Sequence, residues 1–350
     1  MLYRALRPLI FALDAERAHR ATISTLKRMP ARGLPCFDPI LASEVAGLHF
    51  PSPIGLAAGF DKDAEVPDAM LSLGFGFVEV GTLTPLPQLG NPKPRLFRLA
   101  EDEAIINRLG FNNRGQADAL QRLSQREPRS PSTSLRTGIV GVNMGANKDS
   151  ADRIADYAAG VRAMAPVADY LTVNISSPNT PGLRQLQDEG ALAELLAVVR
   201  EARGAGGPPV FLKVSPDLEA GEPEQIVRNA LRFGIDGLIV ANTTVSRAPL
   251  RSRHAGEDGG LSGAPLAPLA LSALRVFRSA SGGALPLIAA GGIASADDAF
   301  ARIRAGASLV QLYSALVYHG PGLARRIADG LSERLCREGF ANIAEAVGSE

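Results

Sequence analysis

The sequence predicts an α/β fold, a (β/α)8 TIM barrel with an N-terminal helical extension, and three observations carry that expectation. From about Pro53 onward, eight apolar runs of strand length alternate with longer amphipathic stretches. The runs do not alternate polar with apolar as half-exposed strands do, which is the signature of strands buried on both faces of a parallel sheet. At 350 residues the chain has a length that α/β barrels commonly fold as one domain. An open doubly wound sheet of similar strand number would share this pattern.

Taken in order, residues Met1 to Met29 hold two apolar-periodic segments, Leu2 to Leu13 and Glu16 to Met29, joined near Asp14. They read as a helix pair, which places an extension over 1–40 and the barrel over 41–350. The eight candidate strands are Ile54 to Ala58, Phe77 to Val80, Ile139 to Asn143, Tyr170 to Asn174, Val210 to Val214, Gly237 to Ala241, Leu287 to Ala290 and Leu309 to Leu312. Helical patterns follow them, for example Leu186 to Arg203 and Pro223 to Phe233. Each strand ends near a polar or backbone-permissive residue: Lys62, Gly81 with Thr82, Asn143, Asn174, Lys213, Asn242, Gly291 with Gly292, and Tyr313 with Ser314. A barrel brings these ends to one rim, where barrel active sites lie, and a phosphate commonly docks on the loops after strands seven and eight. The Gly291–Gly292 and Tyr313–Ser314 turns occupy those two places, and glycine there lets backbone N–H groups approach an anion. The stretch Glu127 to Thr137, rich in Pro, Ser and Thr, reads as a surface loop without chemistry. Arg247 to Gly263 is polar and then Gly-rich, and could close over the rim.

Composition narrows the partner. A formal charge of +1 carries no basic excess for nucleic acid, which leaves a small molecule. Cys36 and Cys336 stand at opposite ends of the chain with no CxxC spacing, which excludes a zinc site of that type or a disulfide framework and fits a reducing compartment. No metal is expected. No apolar stretch reaches the roughly 18 to 20 residues of a spanning helix, so membrane contact, if present, is peripheral.

Three runs at the expected rim carry chemistry. The first is Asn174, Ile175, Ser176, Ser177, Pro178, Asn179, Thr180, Pro181, Gly182, Leu183, Arg184; its Ser-Pro-Asn-Thr-Pro core, taken alone, is a turn. No GxSxG surrounds Ser177, which excludes that hydrolase pattern. The second is Leu56, Ala57, Ala58, Gly59, Phe60, Asp61, Lys62, Asp63, whose small residues admit close backbone approach to a flat ring and whose Lys62 offers a compact positive charge. The third is Asn107, Arg108, Leu109, Gly110, Phe111, Asn112, Asn113. Planar amides each offer a donor and an acceptor to ring carbonyl and N–H groups, and Asn107, Asn174, Asn179 and Asn242 with Thr243 would form an amide cage. Lys213 at the fifth strand end is open to a second reading, the Schiff-base lysine of an aldolase.

With these three runs the chain resembles the class 2, quinone-dependent dihydroorotate dehydrogenases, over nearly its whole length. The resemblance implies FMN as cofactor, dihydroorotate as substrate, orotate as product, and a place in pyrimidine biosynthesis. It implies Ser177 as the base that takes the C5 proton while a hydride leaves C6; since a serine hydroxyl is a poor base, Thr180 and a water are candidates for a relay. It assigns Ala58, Gly59, Phe60, Asp61, Lys62, Thr82, Asn143, Asn174, Lys213, Ala241, Gly263, Gly292, Tyr313 and Ser314 to FMN. To the substrate it assigns Lys62, Asn107, Arg108, Leu109, Gly110, Phe111, Asn174, Asn179, Asn242 and Thr243. Leu109 stands where relatives commonly carry Met, a conservative apolar exchange.

The extension supplies the second substrate's site in this resemblance. Leu2, Tyr3, Leu6, Leu9, Ile10, Phe11 and Leu13 beside Arg4 and Arg7 make a basic amphipathic pattern suited to a membrane interface, or to packing on the barrel. His19, Arg98 and Tyr313 match positions lining a quinone tunnel. The implied location is peripheral, on the cytoplasmic face of a bacterial inner membrane. Another FMN barrel oxidoreductase, the Schiff-base aldolase and a non-catalytic membrane-surface adaptor are the competing readings.

Overall fold

The computed structural model describes residues 2–30, 33–126, 138–179, 183, 186 and 188–350. The 127–137 stretch, expected as a surface loop, lies outside the described residues. In chain order the strands are β1 (Ser43–Val45), β2 (Leu48–Phe50), β3 (Ile54–Leu56), β4 (Phe77–Leu83), β5 (Leu96–Leu99), β6 (Ala104–Asn107), β7 (Ile139–Met144), β8 (Tyr170–Asn174), β9 (Val210–Val214), β10 (Gly237–Val240), β11 (Gly260–Gly263), β12 (Leu287–Ala290) and β13 (Ala307–Leu312). Strands β3, β4, β7, β8, β9, β10, β12 and β13 form a closed parallel barrel, with β13 pairing back onto β3 through Val310 opposite Ile54. Each of the eight expected strands is present, and closure excludes the open sheet.

Period-two alternation sorts the side chains of these strands. Outward-facing Leu56, Val78, Val140, Leu171, Leu212 and Leu238 join one core with the surrounding helices. The Glu222–Phe233 helix shows how that core is built: Ile226, Val227, Ala230 and Phe233 recur at helical spacing and are buried, and left-handed Gly234 ends the helix. Inward-facing Phe77, Tyr170 and Phe211 fill the barrel's lower interior with edge-to-face contacts, Phe77 to Tyr170 at 6.4 Å and Tyr170 to Phe211 at 5.1 Å. These rings fit because glycine faces them: a Cβ added at Gly141 would lie 2.0 Å from Tyr170 Cζ. The antiparallel β1–β2 hairpin closes this end, with Phe50 against Phe77 at 5.2 Å.

The opposite rim carries two helices and a small sheet. Helix α1 (Leu2–Ala12) and helix α2 (Ala15–Leu26) are the expected pair. Asp14 caps α2 by accepting from Arg17 N at 3.0 Å. Strands β5, β6 and β11 form an antiparallel sheet in the order β11–β6–β5, with Asn107 opposite both Gly260 and Leu96. The strip at 107–113 and the segment at 247–263 expected to close over the rim meet at their ends in this sheet, a long-range pairing that no local sequence pattern signals. Arg98 on β5 donates to the carbonyls of Ile10, Phe11 and Leu13, satisfying the C-terminal end of α1. Tyr3 donates to Val317 O at 2.7 Å, and Glu16 pairs with Arg95 at 2.7 Å.

Gly141→Ala is expected to lower the unfolding free energy by about 1–3 kcal/mol through overpacking against Tyr170. Urea denaturation checks this, and an unchanged midpoint would show that the ring yields without cost.

Candidate active site

A cavity of about 800 Å³ opens where the barrel strands end, roofed by α1, α2 and the β5–β6–β11 sheet. Its floor is polar. Glu79 on β4 is fully buried and accepts from Asn143 Nδ2 at 2.7 Å, Gln311 Nε2 at 2.8 Å, Tyr170 OH at 3.0 Å and Thr172 Oγ1 at 3.1 Å. Lys213 on β9 reaches the cavity and has no hydrogen-bond partner among the described residues. Burial pushes its ammonium down, and the charge of Glu79 opposes that shift.

The wall next to the floor is made of small residues and backbone. Ala58, Gly59, Thr82, Ala241, Gly263, Gly292, Tyr313 and Ser314 all line the cavity. Gly292 has φ +68, and a Cβ there would lie 2.4 Å from Ala267 Cα, so the turn accepts only glycine. Its N–H makes no hydrogen bond among the described residues, which leaves it available to an anion.

Amides form the facing wall. Asn107, Asn174, Asn179, Asn242 and Thr243 line the cavity with Leu109, Gly110 and Phe111. Asn179 Nδ2 donates to Asn107 Oδ1 at 3.4 Å, joining the expected cage at its mouth. Two serines stand side by side, and their hydrogen bonds distinguish them. Ser176 Oγ donates to Asn174 Oδ1 and accepts from Asn242 Nδ2, both at 2.8 Å, so it is committed in both directions. Ser177 lines the cavity, accepts from Asn179 N at 3.3 Å, and has no acceptor for its own proton among the described residues. Thr180, the expected relay, lies outside the described residues.

Three expected site residues sit off the cavity wall. Asp61 accepts from Glu65 N and Val66 N, both at 2.7 Å, and so holds the turn after β3; burial pushes its carboxyl up to about 6. Arg108 pairs with Glu257 at 3.0 Å and lies over the Phe97 ring at 4.6 Å, tying the strip to the segment before β11. Asn143 stands behind the wall, accepting from Thr82 Oγ1 at 2.6 Å and from Asn174 Nδ2 at 3.1 Å. Lys62 does line the cavity; its Nζ donates to Gly59 O at 2.8 Å, and burial pushes it down to about 8.

The cavity runs on from Tyr313 to the helix pair, past Phe60, Ala18, Thr22 and Ile10. The His19 ring stands edge to face against Phe60 at 5.3 Å, and Phe60 likewise against Tyr313 at 5.7 Å. Burial first, then the Lys62 and Arg20 charges, push His19 down to about 3, so its imidazole is neutral near pH 7. Arg98 lines this end too, with its guanidinium spent on the α1 carbonyls.

Four residues of this site stand outside the expected set: Glu79, Gln311 and Ser176 through the hydrogen bonds above, and Asn112 as a lining residue. Glu79 and Gln311 left a signal, each being a polar residue inside an apolar run that was read as a buried strand. Ser176 and Asn112 left none, being turn-compatible residues within motifs already noted.

Known proteins resemble the chain over nearly its whole length. The family model described as dihydroorotate dehydrogenase matches residues 40–335. The dihydroorotate dehydrogenase (quinone) of Erythrobacter litoralis is 62% identical over 350 residues, covering 100% of both chains. That of Novosphingobium aromaticivorans is 63% identical over 348 residues, covering 99% of each. Among solved structures, DHODH from Eimeria tenella in complex with ferulenol superposes with a TM-score of 0.90 at 40% identity, covering 97% of this chain and 98% of that one. The ligand-free type from the same organism gives 0.91 at 42% identity, covering 96% and 99%.

A depressed histidine pKa implies a pH-dependent stability. Between pH 6.5 and about 3 the unfolded chain binds a proton at His19 that the folded chain refuses, so this contribution is intact above pH 6.5 and is lost as pH falls toward 3. His19→Gln is expected to flatten the fall in urea midpoint between pH 6.5 and 4.5, and an unaltered slope would place the titration elsewhere.

Proposed function

The chain belongs to the dihydroorotate dehydrogenase family, and from that premise we propose which of its residues bind, orient and deprotonate the substrate. The enzyme oxidises dihydroorotate to orotate with a quinone as electron acceptor, in pyrimidine biosynthesis, and is flavin-dependent. We take the flavin to be FMN. The cavity fits such a group on three counts. Among the described residues Gln311 Oε1 and Thr243 Oγ1 are buried on its lining without partners and Lys213 is unpaired, and the Gly291–Gly292 turn offers backbone to a phosphate. Ala58, Gly59, Thr82, Ala241, Gly263, Gly292, Tyr313 and Ser314 would hold it, with Lys213 supplying positive charge. Bound there, FMN supplies the hydride acceptor for C6 of the substrate and the electron donor for the quinone.

The protein's own work is then proton transfer, orientation and charge. The single observation that carries the assignment is the contrast between the two serines: Ser176 is committed in both directions, while Ser177 faces the cavity with its proton unassigned. Ser177 takes the proton from C5 of dihydroorotate, and the hydroxyl proton it must surrender passes to a neighbouring acceptor, for which Thr180 and a water are the candidates. Lys62, pushed down to about 8, is still mostly cationic at pH 7 and meets the substrate carboxylate. Asn107, Asn174, Asn179 and Asn242 orient the ring through paired donors and acceptors. A Schiff-base role for Lys213 finds no support in the family.

The quinone enters at the other end of the same cavity, between α1 and α2, past His19 and Phe60 toward Tyr313. No helix among the described residues is long and apolar enough to cross a membrane. On α1 and just past its end, Leu6, Leu9 and Leu13 are 42%, 70% and 50% exposed, a row of leucines beside Arg7. We take this face to rest on the cytoplasmic surface of the bacterial inner membrane, with 1–40 as the extension that receives the quinone and 41–350 as the catalytic barrel.

Anaerobic mixing with dihydroorotate, followed by flavin absorbance without any acceptor, isolates the first half-reaction. Wild type should bleach and form orotate, whereas Ser177→Ala should keep its flavin and bleach about 10²- to 10⁴-fold more slowly. A Ser177→Ala rate near wild type would place the base elsewhere. For the second half, Leu9→Glu should reduce co-sedimentation with anionic lipid vesicles and turnover of a long-chain quinone while leaving anaerobic bleaching intact. Undiminished vesicle binding would remove α1 from the membrane contact.

A further inference from the structure

A buried cation stands behind the turn proposed for the cofactor phosphate. We infer that Arg302 is a positioning residue for that phosphate: it holds the Gly291–Gly292 peptide with its carbonyl drawn back and its N–H turned to the cavity, and so makes the site select a phosphorylated flavin. The inference rests on the proposed reading of this turn as the phosphate site. Arg302 lies in the last turn of the Ala296–Arg304 helix, is 3% exposed, and is not among the residues that line the cavity. Its Nη2 donates to Ala267 O at 2.8 Å and to Gly291 O at 3.2 Å. Gly291 O accepts no other hydrogen bond among the described residues.

Glycine on both sides leaves this peptide free to turn over. Reversal changes ψ of Gly291 and φ of Gly292, and neither residue has a Cβ to resist it. The C=O and N–H of a trans peptide point opposite ways, so whatever holds the carbonyl also aims the N–H. Both glycines line the cavity and Arg302 stands outside it, so a carbonyl drawn to Arg302 sends the Gly292 N–H to the cavity side, where it has no partner among the described residues. A reversed peptide would set its carbonyl oxygen toward the anion and its N–H against a buried guanidinium, unfavourable at both ends. The bond to Ala267 adds a second constraint. A Cβ at Gly292 would lie 2.4 Å from Ala267 Cα, so the guanidinium ties together two backbones already in contact at the turn. The helix that carries Arg302 is itself fixed at its start, where Ser295 Oγ accepts from Asp298 N at 3.1 Å and Asp298 Oδ2 accepts from Ala294 N at 3.0 Å. Burial pushes the guanidinium down to about 10, with the Asp298 charge opposing, so it remains cationic at neutral pH. Its Nε is buried without a partner among the described residues. An anion across the peptide would add counter-charge to this group.

The FMN-loaded enzyme, incubated with a graded excess of riboflavin, freed of unbound ligand and analysed for retained flavin by chromatography, yields the preference for FMN over its dephosphorylated form. The two flavins share one ring system. Damage to the ring site or to the barrel therefore moves both affinities together, whereas loss of phosphate recognition moves their ratio. Arg302→Met should lower the ratio about 10-fold or more, the loss expected when a charged group no longer holds its acceptor. Arg302→Lys, which keeps a charge and a donor, should restore most of it. A ratio for Arg302→Met within about two-fold of wild type overturns the inference, even where total flavin content falls. Should Arg302→Met fail to fold, Arg302→Gln, with an uncharged amide on a shorter stem, is read by the same ratio, and an unchanged ratio there rejects the role. A wild-type enzyme that exchanged FMN for riboflavin without preference would instead reject the turn as the phosphate site.

Discussion

Closing eight parallel strands leaves an interior that only side chains can fill, and the pleat sends every second residue into it. The rest of the molecule follows from how that space is filled. At the end closed by the β1–β2 hairpin it holds Phe77, Tyr170 and Phe211, and the glycines opposite them give the rings room. One step higher stands Glu79, a carboxylate in a place that tolerates none unless it is fully hydrogen-bonded. Its four donors come from three other strands, so they converge only when β4, β7, β8 and β13 hold their observed register. A slip of one residue would turn each of them outward. Register and polar network therefore enforce one another.

Above that layer the strands end, and the side chains that would have been the next filling become the cavity wall. This explains why a residue such as Lys213 is at once buried and free to serve a ligand: the backbone that carries it is part of a rigid ladder, with Asn174 its register partner on β8. Precision at the rim is inherited from the barrel. The helical roof is held differently. Helix α1 is tied by Arg98 and Tyr3 to main-chain carbonyls and by Phe11 edge to face with Tyr318 at 5.7 Å, while its leucine row stays outside. α2 is anchored by ion pairs of Glu16 with Arg95 and of Glu65 with Arg20 and Lys27. Pairs with exposed partners, such as those of Glu65, contribute little each, so the roof depends on capping and packing more than on charge.

The sequence was legible where signals are periodic and opaque where they are not. Eight largely apolar runs identified the eight barrel strands because burial on both faces leaves no polar-apolar alternation, and the ends of those runs located the cavity. The hairpin and the β5–β6–β11 sheet were not read: Ser43–Val45, Leu48–Phe50 and Leu96–Leu99 mix buried with more exposed positions and so lack the continuous burial that marks a barrel strand. Motif membership carries no orientation. Asp61 and Arg108 belong to runs that line the cavity, while a turn places Asp61 where two backbone N–H groups claim it, and Arg108 faces Glu257. Adjacent residues in a strand face opposite ways, so a linear motif does not say which of its side chains reach the cavity. Glu79 shows the converse: a charge inside a buried strand was visible in the sequence, but its four partners lie between 64 and 232 positions away.

The distribution of charge along the cavity sorts its two proposed ligands. Lys62 and Lys213 are the cations at the barrel end, where an anionic pyrimidine carboxylate and a phosphate would sit. Toward the helix pair the lining turns apolar, His19 is neutral, and the Arg98 guanidinium is occupied by the carbonyls of α1. A neutral quinone would lose little hydration on entering that end, whereas an anion would exchange water for a largely apolar lining at a cost in desolvation. The polarity gradient thus directs each ligand to its own end of a single continuous cavity, and the Phe60–Tyr313 edge contact marks the boundary between them. On the proposed reading both ends address one flavin from different directions, with the selection made by desolvation and charge built into the walls.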